Sequence, residues 1–144
     1  SGETVVVSAA GGAVGSVVGQ LAKLHGCHVI GLTSTRAKAD WLESDVGYDQ
    51  VIDRETNPDL PIALGELAPQ GVNVFFDNVG GIQFDAVMEN LNMKARIVIC
   101  GTIGMPSFPI PIGPRINRTL LIKRAKIEGL LVLDYFSKYQ EICS

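Results

Sequence analysis

The sequence contains little cysteine and no long apolar run, and both shortages argue against particular classes of protein. Its 144 residues include only three cysteines, Cys27, Cys100 and Cys143, and no two of them have C-x-x-C spacing. This pattern favours free thiols over a disulfide framework or a structural zinc site. Every apolar run is shorter than the ~18 residues of a membrane-spanning helix, and no signal peptide is recognisable. We therefore expect a cytoplasmic chain with no metal and no membrane partner.

An excess of positive charge is also missing, because the formal net charge is −3 at pH 7. A nucleic-acid partner is therefore not expected. The hydrophobic content of 47% is high enough, in a chain of this length, for one compact domain with a sizeable core.

Motifs of two other enzyme classes that bind nucleotides are absent. A short-chain dehydrogenase requires Tyr-x-x-x-Lys, whereas Tyr135 and Lys138 are one residue too close together. A phosphate-loop NTPase requires Gly-Lys-Ser or Gly-Lys-Thr, whereas Gly19 is followed by Gln20. The glycines near the start of the chain therefore need another explanation.

Short apolar runs typical of strands alternate along the chain with segments of helical period. The run "RIVIC" is almost continuously apolar, as a sheet covered on both faces requires. Strands separated by helices predict βαβ units and hence an α/β fold with a parallel sheet and right-handed crossovers. The predicted strands are 4–8, 28–33, 50–52, 73–77 and 96–100.

Four helices are predicted between these strands, and three of them carry apolar residues at helical spacing. The second helix spans 36–44. The apolar positions are Val14, Val17, Val18 and Leu21 on one face of the first helix, Leu60, Ala63, Leu64 and Leu67 in the third, and Phe84, Val87, Met88 and Leu91 in the fourth.

The segment "SAAGGAVGSVVGQ" places glycines at the joint between the first strand and the first helix. Glycine is costly in a fixed backbone conformation, so its use here indicates that something comes close to the backbone. A strand-to-helix turn presents unpaired N–H groups and the positive end of the helix dipole, which together bind phosphate. We therefore examine this turn as a phosphate site.

The frame of these glycines matches the dinucleotide fingerprint G-x-G-x-x-G/A, with Ala10 in place of the first glycine. We expect a pyrophosphate to approach the backbone at Gly12. Gly15 would let the helix lie close to the sheet, and Gly19 would extend that contact by one turn. The alternative is a merely flexible turn whose glycines serve helix packing.

No acidic residue follows the second strand, where a binder of NAD or FAD usually holds the ribose hydroxyls. The strand runs instead into Ser34, Thr35, Arg36 and Lys38, which offer hydroxyls and two cations. Hydroxyls and cations suit a ribose 2′-phosphate, so NADP is favoured over NAD. The alternative is an ordinary helix start, with Ser34 or Thr35 as N-cap and with both cations exposed to solvent.

Two further strands are followed by glycine-rich segments at their carboxyl ends. Ligands of open α/β sheets bind beyond the carboxyl ends of the strands. The fourth strand leads into Asn78, which could donate to a cofactor or cap the next helix. The fifth strand leads into the residues where a nicotinamide ribose would pass, Cys100, Gly101, Thr102, Ile103 and Gly104. The segment "MPSFPIPIGP" predicts a stiff exposed loop, either a lid or a plain connection.

The combination of "VVVSAAGGAVGSVVGQLAKLHGC", "FFDNVGG" and "RIVICGTI" resembles the cofactor domain of the zinc-free medium-chain dehydrogenase/reductase family. The resemblance is to the branch of prostaglandin reductases and alkenal/one double-bond reductases, and it covers nearly the whole chain. It implies a Rossmann fold, a doubly wound parallel sheet in a single cofactor domain. It also implies NADPH-dependent reduction of the carbon–carbon double bond of small α,β-unsaturated ketones and aldehydes.

The resemblance implies roles for particular residues. Lys38 matches the lysine that meets the 2′-phosphate, and Asn78 matches the family's cofactor asparagine. The loop from Cys100 to Gly104 is implied beside the nicotinamide. The residues implied at the pyrophosphate are Gly12, Ala13, Val14 and Gly15, and those of a late strand lining the nicotinamide pocket are Leu130, Leu131 and Val132.

The sequence departs from the family's pattern at two functional positions. Arg54 stands where the family usually has a tyrosine at the 2′-phosphate, so a phosphate partner is retained with altered geometry. The family's tyrosine near the substrate has no match in "TIGMPSFP", where Pro106 stands at about that position. No catalytic residue is therefore assigned.

The family's substrate domain is built from segments on either side of this one. We therefore expect residues 1–144 to be the NADP-binding domain of a larger reductase, inactive by itself. A non-catalytic NAD(P)-binding or redox-sensing module is the alternative. The late run "KIEGLLVLDYF" predicts a last strand with a free apolar edge, so we also expect homodimers that pair edge to edge, as in related dehydrogenases.

Overall fold

The computed structural model describes residues 2–143 and contains one six-stranded sheet. The strands are β1 (Thr4–Val7), β2 (His28–Thr33), β3 (Gln50–Asp53), β4 (Val72–Asp77), β5 (Leu91–Ile99) and β6 (Lys126–Gly129). The helices are α1 (Ala13–Leu24), α2 (Arg36–Trp41), α3 (Leu60–Leu67), α4 (Ile82–Met88), α5 (Asn117–Lys123) and α6 (Phe136–Cys143). A π-helical turn, Leu42–Val46, continues α2, and a 3-10 turn, Val132–Tyr135, precedes α6.

Neighbouring strands all pair in parallel, in the order β3-β2-β1-β4-β5-β6. The chain moves outward from β1 through β2 to β3, and then returns to the other side of β1 with β4. The order therefore reverses between β1 and β4, which is where a doubly wound sheet opens its ligand crevice. The predicted Rossmann-type α/β fold is confirmed.

The alternation of side chains along β1 divides the core between the two faces of the sheet. Val6 belongs to the cluster around Phe75, which includes residues of α3 and α4. Val5 and Val7 belong to the cluster around Tyr48 on the opposite face. Because both faces are covered, successive positions of β1 must all be apolar, which explains the uninterrupted run of valines.

Helix α1 approaches the sheet mainly through glycine, and most of its apolar stripe lies elsewhere. Gly15 and Gly19 are its buried residues. The apolar residues that mark the helix in the sequence are about half exposed at three positions, Val14, Val17 and Leu21. Helical period therefore predicted the helix correctly, but of the four apolar positions only Val18 packs against the cluster around Tyr48.

Tyr48, which follows the π-helical turn, holds α1 in this position. Its hydroxyl donates a 2.7 Å hydrogen bond to the Gly15 carbonyl oxygen. Its ring fills the space beside Gly19 and Gly31, where an added Cβ would collide with it. Burial raises the pKa of the Tyr48 hydroxyl above its usual range, against a smaller opposing effect of the Gly19 backbone. The role of Tyr48 was not predicted from the sequence.

Strand β5 begins earlier than predicted. Leu91, expected in the preceding helix, is the first residue of the strand, because α4 ends at Met88. The pairing of β5 with β4 shifts register between Val72 and Val74, and Lys94 has a φ of +59°. This irregularity separates Leu91 from the apolar run that was recognised as the strand.

The last strand is shorter than predicted and ends at Gly129. The Leu130 N–H still donates to the Ile99 carbonyl oxygen at 2.8 Å, and the chain then leaves the sheet. Leu131 and Val132, which were expected in the strand, are exposed, and Val132 is 76% exposed at the start of the 3-10 turn. An apolar run alone does not distinguish a strand from an exposed turn.

The proline-rich segment between β5 and α5 forms a loop without regular structure, as predicted. The short helices α5 and α6 were not predicted. Across residues 2–143, no helix combines the length and apolar character needed to cross a membrane.

We expect Gly19→Ala to lower the free energy of unfolding by about 1–3 kcal/mol, as overpacking of a core usually does. The added Cβ collides with the Tyr48 ring, which its hydrogen bond holds in place. The better helix propensity of alanine acts in the opposite direction by about 1 kcal/mol. Chemical denaturation of this variant and of the exposed control Gln20→Ala measures the effect. A variant as stable as the wild type would mean that the ring moves aside freely.

Candidate functional site

The turn between β1 and α1 leaves no room for side chains. Ala9 has a φ of +46°, and the Gly12 N–H donates to the Ala9 carbonyl oxygen at 3.0 Å. A Cβ on Gly15 would collide with that carbonyl and lie 2.7 Å from the Ala10 Cα. Gly12 is the N-cap of α1 and supplies no side-chain hydrogen bond. The backbone N–H groups of the first helical turn are therefore available to an anion.

A cleft of about 260 Å³ opens beside this turn. It joins the glycines of the turn to polar residues that follow β2 and β3. The lining of this first cleft includes two glycines, two hydroxyl residues and two cations, namely Gly11, Gly12, Thr33, Ser34, Lys38 and Arg54. A second group, which is apolar except for one amide, comprises Leu32, Val79, Gln83 and Ile103.

Lys38 lies across the glycine turn. A Cβ on Gly11 would be 3.1 Å from the Lys38 Cδ, so the aliphatic part of the lysine runs along Gly11. The Lys38 N–H donates to the Thr35 hydroxyl at 3.3 Å, which makes Thr35 the N-cap of α2. Ser34 is therefore not the cap and lines the first cleft together with Lys38.

Arg36 is engaged outside the first cleft. Its guanidinium lies 2.8 Å from the Asp40 carboxylate and 4.0 Å from that of Glu43. It does not line the first cleft. A contact of Arg36 with a 2′-phosphate stays a prediction, one that this pairing does not favour.

Arg54 presents an unused donor at the first cleft. Its Nε is buried and has no hydrogen-bond partner in the part of the chain that the structure describes. The loop that carries it is ordered by Asp53, whose carboxylate accepts from the Glu55 N–H at 2.9 Å and from the Thr56 hydroxyl at 3.2 Å. A buried N–H without an acceptor is costly, so this geometry fits an anionic ligand in the cleft.

A buried carboxylate joins the ends of β1 and β4. The Asp77 Oδ1 accepts from the Ser8 hydroxyl at 2.7 Å and from the N–H groups of Val79 and Gly80 at 3.0 Å each. The Asn78 N–H in turn donates to the Ser8 hydroxyl oxygen at 2.8 Å. Sequence analysis missed both Ser8 and Asp77. The available signal was a polar residue directly after each of two buried apolar runs.

Asn78 does not cap the following helix, so that alternative is wrong. Its side-chain nitrogen donates to the Ser8 carbonyl oxygen at 2.9 Å. The N-cap of α4 is Gly81, which makes no side-chain hydrogen bond. The side chain of Asn78 therefore links the two central strands, and its contact with a cofactor stays a prediction.

The loop after β5 lies against the loop after β4. The N–H groups of Cys100 and Gly101 donate to the Asp77 carbonyl oxygen at 2.8 and 3.1 Å, and the Gly104 N–H donates to Val79 at 2.9 Å. Glycine is required at 101, where a Cβ would be 2.8 Å from the Asn78 carbonyl oxygen. The predicted nicotinamide loop is thus fixed beside the end of β4.

A second cleft, of about 270 Å³, lies between these two loops. It is lined by Asp77, Asp85, Thr102, Met105 and Ile112. Burial raises the pKa of the Asp85 carboxyl. Ile103 lines the first cleft instead. The predicted residues Leu130, Leu131 and Val132 line neither cleft.

We expect Asp77→Ala to lower the free energy of unfolding by at least about 2 kcal/mol, because it leaves a hydroxyl and two N–H groups without their acceptor. Asp77→Asn keeps one acceptor oxygen and should cost less. The control is Asp85→Ala, which removes a carboxylate from the same cleft. Denaturation curves for the three variants test this, and equal losses for Asp77→Ala and Asp85→Ala would contradict it.

Comparison with known proteins places the fold and the glycine turn in one family. A family model described as "Zinc-binding dehydrogenase" matches residues 13–144. Despite that description, residues 2–143 contain no group of three His, Cys, Asp or Glu side chains that could hold a metal ion. The residues present therefore do not fit a zinc site.

Several relatives are similar over nearly the whole chain. The chain is 42% identical to "2-alkenal reductase (NADP(+)-dependent)" from Nicotiana tabacum over 96% of its length. It is 41% identical to "Prostaglandin reductase 1" from Bos taurus over 91% of its length. In both cases it spans only 40% of the relative.

A solved structure, CurA in complex with NADPH from Vibrio vulnificus, superposes with a TM-score of 0.87 at 42% identity and covers 97% of the chain and 43% of CurA. The resemblance inferred from the sequence is confirmed. The chain belongs to the zinc-binding dehydrogenase family, in the branch that contains the 2-alkenal and prostaglandin reductases.

Proposed function

We propose that this chain binds NADPH as the cofactor domain of an oxidoreductase that reduces the carbon–carbon double bond of small α,β-unsaturated ketones and aldehydes. The observation that carries the proposal is the buried Arg54 Nε, which has no acceptor among the described residues and lies at the same cleft as Lys38 and the glycine turn. The names of the relatives, which include 2-alkenal and prostaglandin reductases, support the reaction class.

The pyrophosphate is assigned to the N-terminus of α1. The N–H groups of Ala13, Val14 and Gly15 would hold it, because this turn has no side-chain cap. Gly12, whose own N–H donates to the Ala9 carbonyl oxygen, would let the pyrophosphate approach because it has no Cβ. The 2′-phosphate is assigned to Ser34, Lys38 and Arg54, with Arg36 as a more distant cation. An anion at this position is favoured because no carboxylate lines the first cleft.

NADPH, when bound, supplies the hydride that reduces the β-carbon of the unsaturated carbonyl compound. The role of this chain is to bind and orient the cofactor. Asn78 and the loop of Cys100, Gly101, Thr102, Ile103 and Gly104 would border the nicotinamide, since they follow the strands beside the crevice. Leu130, Leu131 and Val132 would border it from the end of β6. Catalytic side chains are not assigned, and a cytoplasmic location stays a prediction.

We expect Lys38→Ala to weaken NADPH binding about ten- to a hundredfold, the loss of one charge-assisted hydrogen bond of about 1.5–3 kcal/mol. NADH binding should change little, because NADH lacks the 2′-phosphate. The matched control is Lys123→Ala, which removes an equal charge from α5, outside the first cleft. Calorimetric titration of the wild type and the two variants with both cofactors measures the six affinities.

Equal losses for NADPH and NADH in Lys38→Ala would mean that Lys38 is an ordinary lysine on the surface of α2. A wild type that prefers NADH would overturn the cofactor assignment itself.

We also propose that two copies associate through the edge of β6. This strand ends the sheet and pairs only with β5 among the described residues. Leu131 and Leu133, directly beyond it, are exposed. The strand is short and carries the charged residues Lys126 and Glu128, and both features weaken edge-to-edge pairing. A stable dimer therefore also needs to bury the apolar side chains of Leu131 and Leu133.

Sedimentation velocity over a range of concentrations tests the association. We expect a dimer that Leu131→Asp weakens, since a charge would enter the buried area. Leu24→Asp, at an exposed position of α1, should leave the dimer unchanged. A monomer at the highest concentration, or equal weakening by both substitutions, would rule out this edge.

A further inference from the structure

The Gln83 side chain is the one buried amide at the first cleft. Gln83 lies near the start of α4, is 4% exposed, and its Oε1 has no hydrogen-bond partner within residues 2–143. It lines the first cleft and also an adjoining cleft of about 460 Å³. A buried acceptor without a donor costs about 1–3 kcal/mol, so a fold that retains one is expected to use it for a ligand.

The location of Gln83 narrows the ligand group that it can meet. The first cleft contains Ser34, Lys38 and Arg54, the residues assigned above to the 2′-phosphate. In the cofactor, that phosphate and the adenine are attached to neighbouring carbons of one ribose. The base must therefore lie within the same cleft as these three residues, or at its rim.

The remaining lining of the first cleft suits an aromatic base. Leu32, Val79 and Ile103 offer apolar surface for the faces of a ring. Among the side chains that the structure describes, Gln83 is the only amide that lines the first cleft with them. An amide matches the edge of adenine, because it accepts from the 6-amino group while it donates to a neighbouring ring nitrogen.

We propose that Gln83 recognises the adenine of the cofactor. Its Oε1 accepts a hydrogen bond from the 6-amino group, and its side-chain nitrogen donates to the adjacent ring nitrogen. Gln83 is thus a specificity-determining residue for the base, separate from the cations that select the 2′-phosphate. This inference rests on the proposed function, since it requires NADPH in the first cleft.

The test compares the affinities of two proteins for two cofactors, all four measured by calorimetry. The cofactors are NADPH and its analogue whose purine lacks the 6-amino group. The proteins are the wild type and Gln83→Met, which keeps the length of the side chain and removes its polar atoms. We expect the wild type to bind NADPH roughly three- to tenfold more tightly than the analogue, as one neutral hydrogen bond allows.

In Gln83→Met the two cofactors should bind equally, because the acceptor for the 6-amino group has been removed. Gln20→Met, at an exposed position of α1, should keep the wild-type ratio. The melting temperature of Gln83→Met without cofactor should be unchanged or higher, because the substitution removes a buried acceptor that has no partner. A clear fall in that temperature would show a structural role and overturn the proposal.

The outcomes separate the inference from the function on which it rests. A wild type that binds NADPH and the analogue equally would overturn the role of Gln83 and leave the cofactor assignment intact. A preference for NADPH that persists in Gln83→Met would assign the 6-amino group to another residue. A wild type that binds neither cofactor would overturn both proposals.

Discussion

The buried hydrogen bond between Ser8 and Asp77 is the interaction on which the rest of the site depends. It joins the carboxyl ends of β1 and β4, the two strands between which the sheet order reverses. The glycine turn begins directly after Ser8, and the loop that leads to α4 begins directly after Asp77. The Asp77 carbonyl oxygen also accepts hydrogen bonds from the N–H groups of Cys100 and Gly101, which start the loop after β5. One carboxylate and its neighbours therefore position three of the segments assigned to the cofactor.

A second constraint acts on the opposite side of the glycine turn. The N-terminus of α1 can serve a phosphate only if the helix lies close to the sheet, and this closeness requires Gly15 against the turn and Gly19 against the Tyr48 ring. Tyr48 therefore supports the proposed phosphate site from a position outside the first cleft. Val14, Val17 and Leu21 stay about half exposed, because the face of α1 that contacts the sheet is formed by Gly15 and Gly19 together with Val18 and Ala22.

The polar groups of the first cleft divide the recognition of a dinucleotide among different elements. Backbone N–H groups of α1 suit the pyrophosphate, the cations after β2 and β3 suit the 2′-phosphate, and the amide on α4 suits the edge of the base. In the proposed function, the domain therefore needs no reactive side chain of its own to bind the cofactor. The chemistry belongs to the cofactor, and the protein supplies geometry and charge.

The sequence by itself determined the alternation of strands and helices, the parallel sheet and the glycine turn on which the proposed NADPH site is based, because each of these depends on local period or on residue types at fixed spacing. Tertiary structure alone decided the buried face of α1, the end of β6, the partner of Asn78 and the presence of Gln83 at the first cleft. The physical reason is distance along the chain: Ser8 and Asp77 are 69 residues apart, and they meet only because β1 pairs with β4 in one register. The apolar pattern of a single segment does not specify the register between β1 and β4. That register is set when both faces of the sheet are packed.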